Sequence, residues 1–147
     1  MQGLLAAAAA LAVFALLQSM SAYTPIAQQN ASAVAANFVV YRSAVQSYYS
    51  AAPGSGPVIA TASLSLPPGY RPIVPWQNFR PPFGLVFVYG PALRTTLSAL
   101  LDDYASQLGA IGLVQGSRLI SPRYGDLGVS VPAMIPNGSL AGIVQPY

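Results

Sequence analysis

Few side chains in this sequence could do chemistry. Asp102, Asp103 and Asp126, with six arginines, supply every formal charge in 147 residues, and Lys, Glu, His and Cys do not occur. Paired carboxylates could share a proton or hold a hard cation. Asp102 and Asp103, however, fall in a stretch with helical periodicity, where adjacent side chains diverge by about 100°. Asp126 could approach them only through the fold. No loop carries the ligand spacing of a calcium site. A serine nucleophile would lack both imidazole and amine as its base.

The absent residue types exclude more. Without Cys there is no disulfide, thiolate nucleophile or zinc–thiolate site. Without Lys there is no Schiff base and no phosphate-binding P-loop, and no glycine-rich run has the spacing of a dinucleotide loop. The arginines are scattered between Arg42 and Arg123, whereas a nucleic-acid surface needs clustered cations. The expectation is a non-enzymatic chain with no cofactor, no metal, no nucleic-acid partner and no small-molecule substrate. Solvated positions are expected for Arg42, Arg71 and Arg80. Tyr48, Tyr49, Tyr70, Tyr89 and Tyr124 are expected to cover the edge of a core or to supply contact area.

The elements that would position these residues begin with a long uncharged stretch. No charged side chain occurs from Met1 to Tyr41. Within it, Gly3 to Leu17 is an unbroken apolar run rich in Ala and Leu, both strong helix formers. Helix from Gly3 to Ala22 would span about 30 Å, the thickness of a bilayer core. Residues 1–23 are therefore expected to be a membrane anchor, with Leu4, Leu5, Leu11, Val13, Phe14, Leu16 and Leu17 facing lipid. A cleaved signal peptide is the competing reading; it lacks a basic start, and Ser19-Met20-Ser21 is a poor cleavage site.

Residues 24–147 are expected to form one α+β domain. An amphipathic helix is predicted over 28–50, with Val34, Phe38, Tyr41, Val45 and Tyr48 on a single stripe. That stripe either packs on the chain's own sheet or meets a partner. The run from Ala52 to Pro57 ends the helix. Val58 to Leu66 reads equally as strand or as a short helix capped by Thr61. The proline-rich segment RPIVPWQNFRPP is expected to be an ordered loop, with Trp76 covering one end of the core. Gly84 to Tyr89 is apolar on both faces and should be a central strand. A second helix starts at Pro91. It buries Leu93, Leu97, Leu100, Leu101, Tyr104 and Leu108, carries Asp102 and Asp103 mid-helix on its exposed side, and ends at Gly109. Ile111–Gln115 and Arg118–Ser121 form a hairpin about Gly116-Ser117. Strands follow at Leu127–Val131 and Leu140–Val144, the latter after a Pro136–Ser139 turn. The sum is an N-terminal transmembrane helix continuing into an amphipathic helix, then a small antiparallel sheet with one further helix.

This order of signals resembles the PilM family of type IV pilus biogenesis proteins, small inner-membrane proteins linked to thin pili of conjugative plasmids. The likeness rests on the uncharged start, the phrase NFVVYRSAVQSYYSA, and Leu66-Pro67-Pro68-Gly69-Tyr70. It extends through Trp76-Gln77-Asn78 and Val88-Tyr89 to Gly112, Gly116, Leu119-Ile120-Ser121-Pro122 and Pro132-Ala133-Met134-Ile135-Pro136. The resemblance implies a single-pass protein of the bacterial inner membrane with a cytoplasmic N-terminus and a periplasmic domain. It implies work by protein–protein interaction in pilin transport or the pilus basal body, with other pilus or secretion subunits as partners. The family has no catalytic motif to carry over. A minor pilin or pseudopilin would also run an apolar helix into an amphipathic one, but it would carry a charged leader and an early Glu. A signal-cleaved periplasmic binding domain is the other alternative.

Overall fold

A computed structural model describes residues 30–92 and 94–145. The predicted anchor, with Leu4 to Leu17, lies outside the described residues, as does Leu93 in the second helix. Among the described residues, no helix is long and apolar enough to cross a membrane.

Helix α1 covers residues 30–51. Its stripe is set by apolar residues three and four apart: Ala31, Val34, Ala35, Phe38, Tyr41, Val45 and Tyr49 are all buried. Tyr48 is only half-buried, because the inward position in that turn falls to Tyr49. Ala52, Pro53 and Gly54 then end the helix, with the Ala52 N–H still donating to the Tyr48 carbonyl at 2.9 Å.

Six antiparallel strands follow: β1 Gln77–Phe79, β2 Val86–Gly90, β3 Ile111–Gln115, β4 Arg118–Ser121, β5 Gly125–Ser130 and β6 Leu140–Val144. They make one sheet in the order β1-β2-β6-β3-β4-β5. Alternation divides its two faces. Val86, Val88, Ile111, Leu140 and Val144 join α1 in the main core. Phe87, Tyr89, Val114, Leu119, Ala141 and Ile143 face the other way and are closed in part by Val131 and Ile135. The interior strands β2 and β6 are thus buried along their whole length. β2 is flanked on both sides but is second from the edge, because the proline-rich segment contributes β1 outside it.

That segment departs from the loop expected. Gln77–Phe79 pairs with Phe87–Tyr89, which the four surrounding prolines permit because the strand is short and at the edge. Residues 58–66 contain a 3-10 turn at Thr61–Ser63. Thr61 is its first residue and not its cap. Ala60 occupies the cap position and makes no side-chain bond.

The second helix is broken in two, into α2 Arg94–Asp103 and α3 Ala105–Leu108. Asp102 and Asp103 therefore sit in the last turn of α2, not mid-helix. Carboxylates are unfavourable at that negative pole of the helix dipole, and the chain bends at Tyr104 before resuming. Leu97, Leu100, Leu101 and Leu108 are buried under it. Gly109 closes α3 with φ +62°.

The β3–β4 hairpin has the predicted bounds. Gly116 and Ser117 both take positive φ, +55° and +61°, the left-handed pair that matches the twist of a two-residue hairpin. β5 begins two residues earlier than expected, since Ser121 Oγ accepts the Arg123 and Tyr124 N–H groups at 3.3 Å and tightens the preceding turn.

Candidate functional site: an interaction surface built on polar tethers

Two asparagines dock the proline-rich segment on α1 and the strand beside it. Asn37, on α1, accepts at Oδ1 from Trp76 Nε1 at 2.8 Å, from the Ile73 N–H at 3.1 Å and from the Tyr70 hydroxyl at 3.2 Å. Its Nδ2 donates to the Arg71 carbonyl at 2.9 Å. The Trp76 ring so held meets Phe38 edge-on, centroids 5.0 Å apart, and lies against Gly90, where a Cβ would come within 2.5 Å of the indole.

Asn78 holds the next stretch. Its Oδ1 accepts the Ile59 N–H, and its Nδ2 donates to the Ile59 carbonyl and to the Tyr41 hydroxyl, all at 2.8 Å. The side chain imitates a neighbouring strand, and the Arg80 N–H adds a bond to the Pro57 carbonyl at 2.8 Å. The outer edge of β1 is thereby occupied by residues 57–59. Burial pushes the Tyr41 phenol above its ordinary value, against the opposing hydrogen bond from Asn78.

Arg42 is not the solvated cation expected. Its Nε and Nη2 donate to the Ile143 carbonyl at 3.1 and 2.9 Å, and Nη2 also reaches the Leu108 carbonyl at 3.2 Å. It ties α1 to the end of α3 and to β6. Arg80 is likewise engaged: Nη1 donates to the Pro53 carbonyl, and its guanidinium lies 5.4 Å from the Tyr49 ring centre.

Two of the three carboxylates are spent on arginines. Asp102 pairs with Arg123 at 2.5 Å and Asp126 with Arg118 at 3.0 Å, all four side chains about half exposed. Asp126 also accepts the Gly128 N–H at 2.8 Å. That backbone bond first, and then Arg118, hold its carboxyl below the ordinary value. Among the described residues, no three metal-ligating side chains converge.

What the fold leaves open is apolar. Phe83 is 99% exposed at the tip of the β1–β2 hairpin, with Leu85 beside it at 38%. No charge occurs between Arg80 and Arg94. On the α1 face, a groove of about 510 Å³ runs between α2 and the β3–β4 hairpin. Leu97, Leu101, Leu113, Ile120 and Pro122 line it, with Arg123 at its rim. Such uncharged apolar surface framed by polar groups is the composition of a protein contact.

A sequence model of the PilM family matches residues 6–141. The chain belongs to the PilM family. Its fold is similar to a crystal structure of a protein described as PilM from Escherichia coli B7A. The two share 22% identity with a TM-score of 0.58, over 78% of this chain and 91% of that one. No curated protein matches the chain.

Within this PilM fold, Val34, Phe38, Tyr41 and Val45 pack inward in one core with the sheet. Tyr124, at 65% exposed, is the most open of the tyrosines singled out from the sequence, while Tyr49 and Tyr89 are buried. Reasoning from the sequence missed Asn37, Asn78 and the Phe83 tip. Pro81-Pro82-Phe83-Gly84 did carry a signal for the tip: an aromatic residue placed where two prolines and a glycine require a turn.

Proposed function

We propose that this PilM-family chain is a non-enzymatic component of a pilus biogenesis machine that works by binding other subunits. In this proposal residues 1–23 hold it in the bacterial inner membrane as a single pass, and residues 24–147 form a periplasmic domain. The family match over 6–141 carries the proposal. A type IV or conjugative thin-pilus system is the setting that membership favours. The uncharged hairpin tip and groove support recognition of protein over small molecules, because they offer apolar area and few polar groups with which to orient a substrate.

Two measurements test this. The intact mass of protein recovered from its own membrane should correspond to the full chain; loss of the first ~21 residues would reject the anchor. Crosslinking and pull-down of full-length protein from a piliated host should recover pilus or secretion subunits. Recovery of none would reject the proposed role.

A further inference from the structure

We infer that one end of the domain, where the fold gathers Arg71, Arg94 and Arg118, rests on the anionic phospholipid headgroups of the membrane that holds the chain. This contact rests on the anchor proposed for residues 1–23 and adds how the domain sits on the bilayer.

Helix α1 fixes which end that is. Along β1, Trp76 meets Phe38, Asn78 meets Tyr41 and Arg80 meets Tyr49. The helix therefore runs in the same direction as β1, and its first residues lie at the end where β1 starts. Only residues 24–29 separate the proposed anchor from α1, a reach of about 25 Å even when fully extended. The end where α1 starts is thereby kept close to the bilayer.

Strand register carries three arginines to that end. β2 finishes there, because Tyr89 pairs with Gln77 and Gly90 with Leu140. Arg94 opens α2 shortly after. β3 runs toward the same end, since Ile111 faces Gly142 and Leu113 faces Leu140. The β3–β4 turn is therefore there too, and Arg118 is the first residue of β4 beyond it. Arg71 precedes β1, and Asn37 grips the chain on both sides of Pro72. Its Nδ2 donates to the Arg71 carbonyl, and its Oδ1 accepts from the Ile73 N–H. The two residues so held are exposed, Ile73 at 57%.

Charge divides along the same axis. The Arg71 guanidinium makes no hydrogen bond or ion pair among the described residues. Asp126 alone of the aspartates reaches toward this end, through Arg118. Asp102 and Asp103 close α2 at the opposite end, where Arg123 and Arg80 offset them. The end nearest the bilayer is thus positive, and the far end, with the Phe83 tip, is balanced. Each arginine at an anionic surface favours the contact about fivefold. The anchor already holds the domain at high local concentration, so a few such charges suffice. Ile73 supplies an apolar side chain for the boundary beneath the headgroups.

The chain's lack of cysteine lets one label report each end. Ile73→Cys and Phe83→Cys, in separate full-length proteins, replace exposed residues and take a nitroxide. Each is reconstituted in phosphatidylcholine vesicles with or without phosphatidylglycerol. With phosphatidylglycerol, the label at position 73 should be shielded from an aqueous nickel chelate, and the label at position 83 should stay open. High salt should release the shielding. Arg71→Gln should lower the ratio of shielded to open label about fivefold, and Arg71→Lys should keep it. Equal access at position 73 with and without phosphatidylglycerol, shielding indifferent to salt and to Arg71→Gln, or shielding at position 83 instead would each overturn the inference. Shielding in host membranes but never in pure lipid would assign this end to a protein and overturn it too. Flotation separates the two readings. A full-length chain that does not float with phosphatidylcholine vesicles in high salt rejects the anchor and the orientation with it. A chain that floats with both labels open to water rejects the orientation alone.

Discussion

Asn78 grips Ile59 by both of its main-chain groups, accepting the N–H and donating to the carbonyl at 2.8 Å each. Nineteen positions separate the two residues, and no strand connects them. One amide side chain therefore does the work of a seventh strand at the edge of β1. The pair also explains why a segment so rich in proline stays ordered enough to present Phe83.

The first prediction follows from that grip. Asn78→Ala removes one acceptor and two donations at a buried site, strands the Ile59 N–H and carbonyl, and takes one of the hydrogen bonds of the Tyr41 hydroxyl. It should lower stability by about 2–4 kcal/mol, since each stranded buried group costs about 1–3 kcal/mol. Thermal melts of the full-length protein, followed by near-ultraviolet circular dichroism, would report it. A melting temperature equal to the parent's would mean that Asn78 is not the tether described.

Arg42 should resist its usual conservative replacement. A guanidinium can fork onto Ile143 and still reach Leu108, whereas one ammonium cannot hold both carbonyls in that geometry. Arg42→Lys is expected to lose about 1–2 kcal/mol, most of the loss expected for Arg42→Ala. Denaturant titration of the three proteins checks the ordering, and full rescue by Lys would contradict it.

Thr96 carries the opposite expectation. Its Oγ1 is buried without a hydrogen-bond partner among the described residues. Thr96→Val replaces the stranded hydroxyl with a methyl group of similar size and should be neutral or stabilising by up to ~1 kcal/mol. A clear drop in the denaturation midpoint would refute this.

Alkaline pH should unfold the domain before all its tyrosines ionise. Burial raises the phenols of Tyr41, Tyr49, Tyr70 and Tyr89 above the ordinary value of 10.0. A raised folded-state value means that the folded protein keeps protons the unfolded chain has released. The stabilisation is whole below pH 10.0 and is lost as pH climbs through the folded-state values. Ultraviolet titration of tyrosinate should show Tyr41, Tyr49, Tyr70 and Tyr89 ionising only with unfolding. Nine phenols titrating together near 10.0 would contradict the packing.

The glycines that admit close neighbours should rank by what they face. A Cβ at Gly112 would lie 2.4 Å from the Ile120 carbonyl oxygen, whereas at Gly142 it would meet the tip of the Phe38 ring at 3.1 Å. Backbone in a paired strand cannot yield as a side chain can, so Gly112→Ala should be the more destabilising in matched melts. The reverse order would show that the β3–β4 pair is more pliant than its hydrogen bonds imply.

Local pattern made much of the fold legible. The β3–β4 hairpin and β6 have the bounds that alternation and the Gly116-Ser117 turn predicted, because a two-residue turn dictates the register of the strands it joins. The stripe of α1 was readable for the same reason: a helix buries residues three and four apart wherever it packs. β1 was not readable. A three-residue strand among prolines has no periodicity, and it exists because β2 offers an edge and Asn78 finds Ile59 on the other side. The break at Tyr104 also escaped notice, since the leucine period runs across it undisturbed.

By itself the sequence determined what this protein lacks, an N-terminal third without charge, an α+β order of elements and the marks of the PilM family. Those are properties of composition and short-range spacing, which each residue carries with it. Only the tertiary structure decided that Arg42 is a tie between α1 and β6, that the three carboxylates include two committed to Arg118 and Arg123, and that Phe83 is left exposed while Leu97 and Leu101 line a groove against the β3–β4 hairpin. Those depend on strand order and on contacts between residues as far apart as 101 positions, and no local periodicity encodes which distant carbonyl or edge a side chain will meet.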